Sequence, residues 1–259
     1  MKLLLLGTAG YHPSERRQTA CLMLPEAGIV LDAGTGFFRV REHLQTPTLD
    51  ILLTHAHLDH VVGLTYLLST AWQRKVERIT VHGEAAKLAA IREYLLAQEL
   101  FPAPLPCEWR PLAAEPAEIA GARVTRFPLV HPGGSIGYRL DWSPALRNAT
   151  EGVPYSARSL AYVTDTTAAS DANYIQVIRG VDLLVHECNF RDSEQDWAVK
   201  TGHSCTSAVA AVAKAANVKR LVLVHFNPLE ATDDPIDLAA ARTIFSATEL
   251  GTDGMSLDF

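Results

Sequence analysis

The sequence has no apolar run long enough to cross a membrane. Its longest, such as Asp50-Ile-Leu-Leu-Thr54 and Arg220-Leu-Val-Leu-Val-His225, are strand-sized, whereas a bilayer-spanning helix needs about 20 residues. The opening Met1-Lys2-Leu-Leu-Leu-Leu-Gly7 is too short for the apolar core of a signal peptide. It runs into Thr8-Ala-Gly-Tyr-His-Pro13 without the usual cleavage signature, so it reads as a first β-strand and the protein is expected in the cytoplasm, without a membrane partner. Cysteine pairs are also missing. Cys21, Cys107, Cys188 and Cys205 are scattered with no C-x-x-C spacing, which argues against a cysteine zinc ribbon and against a disulfide framework. Buried free thiols are expected for most of them. No block of basic residues occurs, and the formal net charge is −6. A long, sequence-independent grip on nucleic acid needs many Lys/Arg–phosphate contacts, so that class is disfavoured. A small phosphorylated substrate held by metals remains compatible.

What the chain does have is apolar material, 48% of 259 residues, enough for one large core or two packed half-cores. Short β-like runs near 2–6, 19–25, 28–32, 49–53, 76–82, 122–130, 135–142, 158–164, 181–187 and 219–225 alternate with helical patterns. The helices are expected near 35–44, 59–70, 83–99, 170–180, 204–216 and 235–247. From Ser204 onward, Ala208, Val209, Val212 and Ala216 share one helical face. The prolines at 102, 104, 106, 111 and 116 mark an irregular connection between two topological halves. Nothing there resembles a flexible linker, so residues 1–259 are read as a single α/β domain.

The strongest feature follows the strand-like run at 49–53: Thr54-His55-Ala56-His57-Leu58-Asp59-His60. In extended chain, His55 and His57 point the same way. A helix starting just after them projects Asp59 and His60 from its first turn. Four good ligands in six residues suit two ions better than one, because a catalytic zinc takes about three protein ligands and keeps a position open. The alternative, a polar loop of hydrogen-bonding histidines, would gather them for no purpose. Further ligand types end other apolar strands: His131 after Arg126-Phe-Pro-Leu-Val, Asp165 after Ala161-Tyr-Val-Thr, and His225 after Leu221-Val-Leu-Val. Strand ends of this kind can converge on a shared cleft.

Together these residues resemble the metallo-β-lactamase superfamily of binuclear hydrolases, along nearly the whole chain. The resemblance implies a four-layer αββα sandwich with the site at one edge of two sheets. It also implies two divalent ions, zinc first, with manganese, iron or cobalt also suited to such ligands. By position, His55, His57 and His131 would hold one ion. Asp59, His60 and His225 would hold the other, with Asp165 bridging. Other segments resemble the ribonuclease Z-like and phosphodiesterase branch: Leu6-Gly-Thr-Ala-Gly10 with Pro13-Ser-Glu-Arg-Arg-Gln18, His186-Glu-Cys-Asn-Phe190, Lys200-Thr-Gly-His-Ser204 and Asp253-Gly-Met255. That resemblance gives His203 the role of proton donor and Glu187 the role of orienting it. An imidazole held by a carboxylate keeps one tautomer and gains basicity. Two features depart from tRNA-processing members. Only 33 residues separate His131 from Asp165, which leaves little room for a tRNA-gripping arm. Thr35 also stands where those enzymes carry an acidic residue.

The expected reaction is hydrolysis of a small or nucleotide-like phosphate ester. A water shared by two ions is ionised near neutral pH and attacks phosphorus, while the leaving oxygen takes a proton from His203. Asp59 belongs to the same catalytic group. The competing readings are tRNA 3′-end processing, with RNA as partner, and hydrolysis of sulfate esters, thioesters or lactams. A di-iron oxidoreductase would favour a carboxylate where His57 stands, and a non-catalytic scaffold would lose ligands. The branch commonly forms homodimers. His12 and Arg16 lie in a loop that can border the cleft. Asp32 is read as a brace for the histidine loop, His186 as at most a support for a ligand, and His43 and His82 as ordinary residues without a partner.

Overall fold

A computed structural model of the chain describes residues 1–73, 76–143 and 157–259. In chain order the first strands are β1 (Lys2–Gly7), β2 (Cys21–Leu24), β3 (Ile29–Leu31), β4 (Thr48–Leu52), β5 (Arg78–Gly83) and β6 (Glu108–Pro111). They are followed by β7 (Ala117–Ile119), β8 (Ala122–Leu129), β9 (Ser135–Trp142) and β10 (Arg158–Val163). The last are β11 (Leu183–Glu187), β12 (Leu221–Val224), β13 (Thr248–Leu250) and β14 (Ser256–Asp258). Two compact units contain them: Met1–Ala113 with Thr252–Asp258, and Ala114–Gly251 with Phe259.

The first unit holds a seven-stranded sheet in the order β14-β1-β2-β3-β4-β5-β6. Pairing is antiparallel from β14 to β3 and parallel from β3 to β6. Of the parallel strands, β3 is wholly buried and β4 nearly so, as strands covered on both faces are. One face packs Leu6, Met23, Val30, Ile51 and Val81 against Phe37, Leu64, Leu67, Leu88 and Ile91 from the helical segments. The helix expected over 35–44 is a 3₁₀ turn, Thr35–Arg39, followed by one α-turn, Val40–His43. The pattern over 83–99 yields Ala85–Ala90 and a π-helical turn, Ile91–Leu95. The proline-rich connection contains an unexpected strand, β6. Pro111 is its last residue and β6 is an edge strand, where a missing N–H costs no central pairing.

The second unit holds a sheet in the order β13-β12-β11-β10-β9-β8-β7. It is parallel from β13 to β10 and antiparallel from β10 to β7. The helix Thr206–Ala215 buries Val209, Ala210, Val212 and Ala213 against Ala161, Val163, Leu184, Leu221 and Leu223, so the face expected from Ser204 onward is its packing face. The pattern over 170–180 shortens to Tyr174–Val177, with Gly180 following at φ +69°. A helix over Gln195–Thr201 was not expected from the sequence. Residues 144–156, within the stretch that bears on a tRNA-gripping arm, lie outside the described residues.

Two mixed β-sheets with flanking helices are thus the architecture, as the α/β expectation required. Among the described residues no helix is long and apolar enough to cross a membrane. All four cysteines are free, and Cys21, Cys188 and Cys205 are buried.

Candidate functional site

In the first unit the chemistry sits just beyond the carboxyl ends of β3 and β4. Asp32 ends β3 at φ +59° with its side chain fully buried. Its Oδ1 accepts the Thr54 N–H at 2.8 Å, and the Thr54 hydroxyl donates to both carboxylate oxygens at 2.9–3.0 Å. The His60 Nδ1–H donates to Oδ2 at 2.8 Å. These bonds dictate tautomers. A hydroxyl has one proton, and Thr54 commits it to Asp32, so the contact of 3.0 Å between Thr54 Oγ1 and His55 Nδ1 is donated by the imidazole. In the neutral rings of both His55 and His60 the lone pair therefore resides on Nε2. Support of this kind on the far nitrogen is what a metal-binding histidine requires.

The same loop is packed tightly. The rings of His55 and His57 lie 4.5 Å apart, and those of His55 and His60 lie 4.3 Å apart. Asp59 Oδ2 accepts the Tyr11 N–H at 2.8 Å and stands 3.4 Å from His60 Nε2. Gly34 approaches so closely that a Cβ there would lie 2.2 Å from the Asp59 carbonyl oxygen. Thr35 exchanges hydrogen bonds with Thr19: each backbone N–H donates to the other's hydroxyl at 2.8 Å.

In the second unit, His131 lies on the β8–β9 turn, and Asp165 and His225 lie just past β10 and β12. Asp165 and His225 adopt φ +49° and +60°, sparsely populated for non-glycine residues and often found at functional sites. The His131 Nδ1–H donates to the Gly202 carbonyl at 2.9 Å. Asp165 then faces two imidazoles: Oδ2 is 3.4 Å from His131 Nε2 and Oδ1 is 3.2 Å from His225 Nε2. With Nδ1 protonated, the neutral His131 ring presents a lone pair to a carboxylate oxygen. Two acceptors that close call for a cation, so this donor set fits a divalent metal. Asp165, His203 and His225 each place one such atom within 4.8 Å of the others.

Glu187 ends β11 and is fully buried. Its Oε1 accepts the Thr166 N–H at 3.0 Å and faces His203 Nδ1 at 3.3 Å, while the His203 side chain keeps 15% exposure. The His203 ring stacks 5.3 Å from that of His225. His186 takes no part in this cluster. It donates from Nδ1 to the Glu187 carbonyl at 2.7 Å and meets the Tyr174 hydroxyl at 3.1 Å, and burial pushes its pKa below the usual histidine value. His82, expected to lack a partner, pairs with Asp50 at 2.7 Å across β4 and β5, because parallel pairing sets the two strands side by side. His43 ends its short helix, and His12 Nδ1 donates to the Pro13 carbonyl.

Sequence reasoning missed two supports. One is the Tyr11 amide on Asp59. The other is Asp253, whose Oδ1 accepts from the Thr8 amide and hydroxyl, and whose Oδ2 accepts from the Gln18 amide and Arg39. The only signal for Asp253 was its place in the Asp253-Gly-Met255 segment.

The β-lactamase superfamily domain model matches residues 28–226. Ribonuclease Z of Bradyrhizobium diazoefficiens is 30% identical, the match covering 97% of this chain and 97% of that protein. Among solved structures, human tRNase Z, short form, is similar with a TM-score of 0.73 at 21% identity, covering 100% of this chain and 99% of that one. A diphosphatase of the PhnP family gives 0.72 at 18% identity, covering 100% and 97%. The chain belongs to the metallo-β-lactamase superfamily, a hydrolase of its ribonuclease Z-like branch. The two mixed sheets with flanking helices match the fold of those structures, the fold class expected from the sequence.

Proposed function

We propose that the chain is a binuclear metal-dependent phosphodiesterase acting on a small or nucleotide-like phosphate ester, with residues 1–259 as one catalytic domain. His55, His57 and His131 are assigned to one divalent ion, and Asp59, His60 and His225 to the second. Asp165 is assigned to both. The observation that carries this reading is the Asp165 carboxylate facing the Nε2 atoms of His131 and His225 while His131 Nδ1 is fully engaged with Gly202. Zinc is the first candidate for both ions.

When bound, the two ions supply Lewis acidity that activates water and offsets charge on the phosphoryl oxygens. The chain supplies the rest. Asp32 and Gly202 fix which nitrogen of His60 and His131 keeps its lone pair for coordination. His203, partly exposed, carries the proton for the leaving oxygen. Glu187, without solvent access, holds Nδ1–H of that ring and stabilises the charged imidazole before the transfer. General-acid help of this type is worth roughly 10²–10⁴ in rate.

A second reading, tRNA 3′-end processing, is favoured by the full-length similarity to proteins named ribonuclease Z. Against it, Thr35 takes the place of an acidic residue and is engaged with Thr19. A precursor-tRNA cleavage assay beside bis(p-nitrophenyl) phosphate, a thioester and an aryl sulfate separates these chemistries. The test of the mechanism is His203→Ala. Turnover should fall by about 10²–10⁴ with metal content unchanged. Metal lost together with activity would place His203, which stands beside Asp165 and His225, in the coordination shell or in the support of the fold instead.

A further inference from the structure

Tyr11 is a bulky residue at φ +59° and is 78% exposed. Both properties are unfavourable for a tyrosine in water, since an L-residue with a large Cβ substituent seldom adopts the left-handed region. The residues before it, Thr8, Ala9 and Gly10, are buried, so the ring stands out from a closely packed base.

That base is held from several directions. Asp253 accepts from the Thr8 amide and hydroxyl and from the Gln18 amide, gripping both ends of the loop. Arg17 donates to the Thr8 hydroxyl at 2.7 Å, and Ser14 Oγ accepts from the Arg16 and Arg17 amides. The Ala9 amide donates to the Gln18 carbonyl, and the His12 amide to the Gly10 carbonyl. Tyr11's own amide donates to Asp59 Oδ2 at 2.8 Å. The unusual backbone angle is therefore tied to the proposed ligand loop, and the ring is displayed by a rigid support next to it. His12 packs against the ring edge-on, with centroids 5.1 Å apart and planes at 64°, which steadies the phenol.

We propose that Tyr11 is a stacking platform for the flat aromatic base of a nucleotide ester whose phosphate sits at the Asp59 loop. This rests on the phosphodiesterase reading and names the substrate's esterifying group. A fixed, exposed aromatic face beside a phosphate-handling loop is how proteins hold unpaired bases without reading their sequence, because every base presents a π-face. Neither the Tyr11 hydroxyl nor its ring touches reacting atoms. Its role is specificity.

The test is calorimetric binding of adenosine 5′-monophosphate and of ribose 5-phosphate to the metal-loaded protein, with Tyr11→Gly and Tyr11→Phe alongside. Glycine keeps the N–H on Asp59 and accepts the backbone angle, so its metal content serves as the folding and loading control. The native protein should prefer the nucleotide by about five- to a hundredfold, the range for stacking one base. Tyr11→Gly should abolish that preference, and Tyr11→Phe should keep it. A preference that survives in Tyr11→Gly overturns the proposal, as does a native protein that binds both phosphates equally or neither. Failure of the phosphodiesterase reading shows separately, as absence of bis(p-nitrophenyl) phosphate cleavage by the native enzyme.

Discussion

Replacing Asp32 separates support of the fold from control of a tautomer. Asp32→Ala removes the acceptor for three buried donors, of which the Thr54 hydroxyl can turn to another acceptor; the Thr54 amide and His60 Nδ1–H, each bonded at 2.8 Å, cannot. Each orphaned donor costs about 1–3 kcal/mol. Alanine at the φ of +59° found there adds about 1–2 kcal/mol. A loss of roughly 3–8 kcal/mol is comparable with the whole stability of a typical domain, about 5–15 kcal/mol, so this variant should express poorly. Asp32→Asn is the informative change. Asparagine tolerates the left-handed region, and its Oδ1 still accepts from Thr54. Its Nδ2 then meets His60 Nδ1, and two donors cannot face each other. His60 must shift its proton to Nε2, the atom proposed to coordinate. Rotating the amide by half a turn only moves the clash to the Thr54 amide. The expected outcome is a folded protein with metal affinity reduced about 10–100-fold. Chelator-competition titration of zinc measures this, with thermal unfolding as control. Full affinity in Asp32→Asn would refute the tautomer reasoning.

Two other perturbations follow from the second unit. Gly202→Ala forces a Cβ to 2.4 Å from Pro132 Cδ and 3.0 Å from His131 Nδ1 at φ +75°. The turn carrying His131 should shift and its bond to the Gly202 carbonyl break, lowering zinc affinity by about 10–100-fold in the same titration. His186 has its pKa lowered by burial, partly opposed by its bond to the Glu187 carbonyl and by the nearby Glu187 charge. The native state therefore resists a proton that the unfolded chain accepts below the ordinary value of 6.5. Its contribution to stability is complete above that pH and is lost as pH falls towards the lowered value. The slope it adds there is at most about 1.4 kcal/mol per pH unit. Urea unfolding of His186→Gln should show a shallower acid decline than the native protein as the pH falls below 6.5; equal slopes would show that His186 is not the group involved.

How much was legible depended on range. The strands at 2–7, 122–129 and 135–142 and the packing face of Thr206–Ala215 were readable because periodicity is a local property. The short edge strands β6, β7, β13 and β14 were not, because three or four residues hold no period and owe their form to a neighbour. The partner of His82 was missed for the same reason: Asp50 lies 32 residues away and meets it through strand register.

The sequence alone determined which residue types were available and at which strand ends, since the string from His55 to His60 and the endings at His131, Asp165 and His225 are written contiguously with their strands. Tertiary structure alone decided which nitrogen the rings of His55, His60 and His131 present. Thr54, Asp32 and Gly202 set those protons from positions up to 71 residues distant. A neutral imidazole can carry its proton on either nitrogen, and only the acceptor placed beside it selects one.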